Sequence, residues 1–276
     1  MRLIGKRMLC ALFAAVLPAA MLAGCAPKTV SQEETAPASL TVFAAASLTE
    51  TLTEIAEQYK TAAPGVTLIF NFDSSGTLKT QIEEGAACDL FISAAQKQMD
   101  QLDASKDAEA NPDKLDFIDP STRVDLLENK VALVVPEGNP AGIGSFADIG
   151  EKCGLIALGN DDVPVGQYSE EILTGLGLLE TLKSENKITY GSNVKEVTTQ
   201  VAEGAVDCGI VYATDAYSAG LAVVDEATPD MCRQVVYPAA VTKDTAHPEE
   251  AGAFLAYLQT DDSMKIFEAA GFAKPA

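Results

Sequence analysis

The side chains of this 276-residue chain that could do chemistry are hydroxyls at strand-to-helix junctions. Ser47 closes the small-residue run in "TVFAAASLTE", and Ser74 and Ser75 lie in "FDSSGTL". Two further junctions, "ALGNDDVPVGQY" and "YGSNVKEV", repeat the pattern of a strand, small residues and a helix start. A hydroxyl can accept one hydrogen bond and still donate its own proton. The first amides of a helix have no partner within it and favour anions. Such junctions suit a compact anion held by neutral donors. Hydrogen bonds to a charged group contribute about 1.5 to 3 kcal/mol each, so about five to seven donors would offset dehydration.

Other chemistries are poorly supplied. "AAASL" is not the glycine-flanked elbow of a serine hydrolase, and the single histidine, His247, followed by Pro248 and two glutamates, reads as a helix lead-in. No phosphate-cradling glycine loop follows a strand. The chain is therefore not expected to be an enzyme. Cys88, Cys153, Cys208 and Cys232 show no metal-ligand spacing, which argues against zinc. Cys153 and Cys208 each precede a predicted strand and are a possible disulfide, with four buried free thiols as the alternative.

The elements that must position these groups follow an N-terminal preamble. Residues 1–24 are basic, then apolar, and read as a signal peptide. They end in "LAGC", which resembles a bacterial lipobox and makes Cys25 the expected lipidation site, with residues 25–38 a flexible tether. Loss of the leader removes three bases and leaves sixteen against forty acids, a net charge of about −24. That charge argues against nucleic acid as a partner. The remainder alternates short strand and helix patterns, the signature of an α/β architecture with mainly parallel sheets. Helices are predicted from Leu48, near Thr77 and from Ser169 and Val194. "SLTE" also fits a capping box, with Ser47 as the cap and Glu50 reaching back to its amide.

"TVFAAASLTETLTEIAEQY", "SSGTLKTQIEEGAACDLFISAAQKQMDQL", "VPVGQYSEEIL", "GIVYATDA" and "EAAGF" together resemble the periplasmic molybdate-binding proteins of molybdate ABC transporters, in order from about residue 39 to 273. The resemblance implies a two-lobed type 2 periplasmic-binding-protein fold with the ligand in the interlobe cleft. Residues 39–121 and 218–276 would form the first lobe and residues 122–217 the second. "CDLFISA" would lie beside "LTVFAAA", and "CGIVYAT" beside "GLIALGN", which would bring Cys153 near Cys208. The implied ligand set is Ser47, Ser75, the amides of Val165 and Val194, and the phenol of Tyr212. Molybdenum would enter only as this oxyanion, molybdate or tungstate, with no cofactor. The implied protein is a monomeric extracytoplasmic lipoprotein that delivers the anion to an ABC permease and its ATPase. Sulfate, phosphate, or an enzyme or sensor on the same fold are the alternatives. Asp73, Asp161 and Asp162 crowd the cleft with negative charge and are expected to face solvent; an inward aspartate would suit a protonated anion such as phosphate.

Overall fold

The computed structural model describes residues 37–275; the leader, Cys25 and nearly all of the tether lie outside the described residues. The chain builds β1 (Ala38–Ala45), α1 (Thr49–Ala62), β2 (Val66–Asp73), α2 (Ser75–Glu83), β3 (Leu90–Ile92) and α3 (Gln96–Asp100), then β4 (Val124–Asn129) and β5 (Val131–Val135). After α4 (Ile149–Lys152) come β6 (Ile156–Gly159), α5 (Pro164–Gly175), α6 (Leu179–Ser184), β7 (Ile188–Gly191), α7 (Val194–Ala202), β8 (Cys208–Tyr212) and α8 (Ala213–Ser218). β9 (Ala222–Glu226), β10 (Val235–Val241), α9 (Pro248–Leu258) and α10 (Asp261–Ala269) complete the order.

The strands form two five-stranded sheets, β2-β1-β3-β10-β4 and β7-β6-β8-β5-β9, one for each lobe. β1 pairs in parallel with both β2 and β3, and β6 with both β7 and β8, so the expected neighbours are adjacent. β10 and β5 run antiparallel to their neighbours, so each sheet is more evenly mixed than the sequence pattern suggests. From Val42 onward β1 is apolar and buried on both sides, as in a sheet covered on both faces. Leu40, Val42 and Ala44 enter the large core with Leu52 and Ile55 of α1, whereas Phe43 joins Leu78, Phe91 and Met99 on the opposite face.

The crossovers lie elsewhere than expected. β4 belongs to the first sheet, paired with β10, and β9 to the second, paired with β5, so the chain changes lobes at Lys130 and again over 227–234. The breaks expected at 121/122 and 217/218 would exchange those two strands. "VDLLEN" hides its strand because only Leu126, Leu127 and Asn129 are buried while Asp125 faces outward. Cys208 opens β8 beside Ile156 of β6, and its Sγ lies 3.5 Å from that of Cys153. Both are buried free thiols, so the possible disulfide stands here as a thiol contact.

The segment before β4 is tied down by Arg123. Its guanidinium donates to Asp103 Oδ2 at 3.0 Å and to Asp100 Oδ1 at 2.5 Å. Burial alone would raise the Asp103 carboxyl, but Ser105 and then Arg123 overcome it and hold the carboxyl below its ordinary value. Arg123→Met leaves a buried carboxylate unpaired and is expected to cost about 3 kcal/mol in urea unfolding at neutral pH. Because the folded value is depressed, this contribution is complete above the ordinary carboxylate value of about 3.9 and fades as pH falls through the lower folded value. A difference between parent and variant that persists at the acid end would contradict this account.

Candidate functional site

The junction after β1 is tighter than a capped helix start. Ala46–Leu48 form a 3-10 turn, and α1 follows it without a side-chain cap. Ser47 is therefore not the α1 cap, and Glu50 does not close a capping box on it. The strand runs directly into the turn, and the Glu50 carboxylate instead meets Lys195 of the second lobe, with Nζ 2.9 Å from both oxygens. Released from capping, the Ser47 hydroxyl lies 2.9 Å from the Tyr237 hydroxyl. Asn129 Oδ1 accepts the Lys130 amide, so its Nδ2 is the donor to Tyr237 Oη at 3.2 Å and to Thr214 Oγ1 at 2.9 Å. The Tyr237 hydroxyl thus accepts from Asn129 and pairs with Ser47, tying Ser47 Oγ to the first sheet.

The second serine junction uses both of its hydroxyls. Ser74 is the cap of α2, its Oγ accepting the Thr77 amide at 3.1 Å. The helix thus begins at Ser75, two residues earlier than predicted, and the Ser75 amide is its first. Ser75 Oγ accepts the Ala94 amide at 2.9 Å from the end of β3, which leaves its hydroxyl proton to donate.

In the second lobe the donors are backbone groups. α5 starts at Pro164, five residues before the predicted start, because proline at the first helical position has no amide to leave unpaired. The Gly166 and Gln167 amides bond to Val163 O, so Val165 supplies the free amide of this turn. Gly166 lets the turn close, since a Cβ there would lie 2.4 Å from both Gly159 O and Asn160 O. Val194 is the first residue of α7, whose cap, Asn193, accepts the Glu196 amide. Tyr212 ends β8, and its buried hydroxyl has no hydrogen-bond partner. Burial, with Tyr237 and Tyr168 beside it, pushes the phenol well above its ordinary value, so it is a neutral donor.

All five expected residues line one small cavity between the lobes, with about 10 Å³ open to the centre of a water-sized sphere. Ala45, Ala46, Asp73, Ser74, Ala94, Val163 and Pro164 complete its wall, and no lysine or arginine is among them. Asp161 and Asp162 are exposed, as expected. Asp73 departs from the expectation: it is half-buried and lines the cavity, with Oδ1 accepting the Ser74 amide at 2.7 Å and Asn193 Nδ2 at 3.4 Å. Asp73 ends β2, and its register beside Ala45 turns it to the cleft edge, where two donors face its Oδ1. Close by, Asp215 is fully buried, and burial pushes its carboxyl up to about 6 against the pull of Lys195.

Sequence reading missed the supports of this site. Tyr237 and Asn129 are 108 residues apart and no local pattern links them. Gly76 has a signal only in hindsight: a Cβ there would lie 2.2 Å from Asp162 O, so the first lobe meets the second on a bare backbone.

Known proteins share this architecture. Over residues 40–273 the chain matches the family model described as bacterial extracellular solute-binding protein. It is 39% identical to YvgL of Bacillus subtilis, provisionally named an ABC transporter substrate-binding lipoprotein, with 95% of this chain and 96% of that one covered. It is 37% identical to the molybdate-binding protein ModA of Escherichia coli, with 84% and 88% covered. The solved periplasmic molybdate-binding protein of Azotobacter vinelandii superposes with a TM-score of 0.73 at 26% identity, covering 86% of this chain and all of that one.

Proposed function

This chain belongs to the bacterial extracellular solute-binding protein family, and on that premise we propose that its solute is molybdate or tungstate, bound between the lobes by Ser47, Ser75, Val165, Val194 and Tyr212. One observation carries the reading: Ser47, Ser75 and Tyr212 line a single cavity, and the Ser75 and Tyr212 hydroxyls each have a proton that no protein acceptor takes. A fully deprotonated tetrahedral oxyanion offers acceptors only and complements such a lining. Relatives from Escherichia coli and Azotobacter vinelandii are named for molybdate, which favours this anion over others of its shape.

Closure follows from differential affinity, because only the closed state brings donors from both lobes to the anion. Delivery to an ABC permease and its ATPase, and anchorage through a lipid on Cys25, complete the proposed role. The anchor rests on "LAGC", Leu22 to Cys25, and on the kind of lipoprotein that YvgL is named for.

Asp73 in the cavity wall supports a second reading, phosphate, since a carboxylate can accept the proton of a protonated anion. A thermal-shift panel of molybdate, tungstate, sulfate and phosphate decides between them. Ligand at about a hundred times its Kd adds about 2.7 kcal/mol to stability, so molybdate and tungstate are expected to raise Tm clearly and phosphate and sulfate little. A shift with phosphate and none with molybdate would overturn the first reading in favour of the second.

A further inference from the structure

Lys195 follows Val194 on the first turn of α7, and its ammonium reaches across the cleft from the second lobe. Nζ contacts both carboxylate oxygens of Glu50, on the first turn of α1 in the first lobe. Among the described residues this is the one ion pair that joins a helix of one lobe to a helix of the other. On its own side of the cleft, Nζ lies 3.2 Å from Oδ1 of Asp215 in α8. Asp215 has no solvent exposure, and apart from Lys195 neither of its oxygens has a polar partner. Parting Lys195 from such a carboxylate would leave a buried charge uncompensated. Glu50, by contrast, is 53% exposed and can turn to water at little cost.

We propose that Lys195 is a positioning residue for lobe closure: Asp215 holds its ammonium at the cleft rim, and Glu50 captures it when the lobes meet, so that the anion leaves only after this pair parts. The inference rests on the anion-receptor reading above. Its location gives the pair leverage, because Lys195 adjoins the Val194 amide and Asp215 lies three residues beyond Tyr212. Neither charged partner lines the cavity, so the effect passes through the lobes and not through contact with the anion.

The sign of the effect separates a latch from the general field of the protein. By field alone, removing a negative charge near an anion site strengthens binding. Removing a latch weakens it. In stopped-flow measurements with molybdate, E50Q is expected to release the anion about three- to fivefold faster than the parent, the worth of one exposed ion pair. K195R keeps the cation and is expected to release at close to the parent rate. K195Q alone would strand the Asp215 charge and endanger folding, so the control background is K195Q/D215N, in which adding E50Q is expected to change nothing further. Unchanged or slower release from E50Q, or further acceleration in the control background, overturns the latch. A parent that does not bind molybdate overturns the reading of the site instead. The latch is then judged on anion-free protein by small-angle X-ray scattering, where E50Q should have the larger radius of gyration and equal radii overturn it.

Discussion

Gly76→Ala is expected to weaken molybdate binding by about tenfold to a hundredfold without lowering the stability of the anion-free protein. The reason is geometric. Gly76 is the second residue of α2, and a methyl there would meet Asp162 O at 2.2 Å, Asp162 Cβ at 2.8 Å and Asp162 C at 2.9 Å. These atoms belong to the opposite lobe, and two of them are backbone atoms at the turn that leads into α5. Overpacking of this kind typically costs about 1 to 3 kcal/mol. Here it can be relieved by keeping the lobes apart, so the penalty falls on the closed state. Within its own helix alanine is favoured over glycine by up to about 1 kcal/mol. Melting temperature and affinity should therefore move in opposite directions, or the former not at all. Isothermal titration together with an anion-free melting curve checks both, and an unchanged Kd would mean that closure does not require this contact.

Tyr212→Phe is expected to cost a similar order in affinity by a different route. Its hydroxyl is buried and unpartnered, an arrangement that ordinarily disfavours the folded state. Deleting it removes one hydrogen bond to the bound anion, worth about 1.5 to 3 kcal/mol, or roughly tenfold to a hundredfold in Kd. In the anion-free protein the same deletion removes a polar atom that has no partner, so Tm should hold or rise. A fall in Tm with unchanged affinity would assign Tyr212 to the core and remove it from the site. Ser75→Ala is the poorer probe, because the Ala94 amide would lose its acceptor and stability would change along with binding.

The readable part of the site had local causes. Ser47 and Ser75 sit where a strand gives way to a helix, and small residues announce that change within a few positions. Val165 and Val194 sit at such junctions too, but motif resemblance alone separated them from plain helix starts, as it did Tyr212 from a half-buried aromatic. The same local logic misjudged Glu50. Its spacing from Ser47 suits a capping box, yet a lysine 145 residues away takes its carboxylate, because the preceding turn is 3-10 and leaves no cap to complete. Asp73 was misjudged for a related reason, since one of the two donors that face it, Asn193, belongs to the other lobe.

The sequence by itself determined the α/β alternation, the parallel pairs β1-β3 and β6-β8, and the five residues that line the cavity. Those follow from hydrophobic periodicity and junction chemistry, which act over a few residues, and from motif resemblance along the chain. Only the tertiary structure decided which lobe owns β4 and β9, how Asn129 and Tyr237 tie down the Ser47 hydroxyl, and that Tyr212 keeps a hydroxyl without a partner. It also decided that Lys195 joins Glu50 to Asp215 across the cleft. The physical reason is common to all of these: a hydrogen-bond direction, an orphaned donor or a charge pair depends on what arrives from distant segments, and local periodicity carries no record of that arrival.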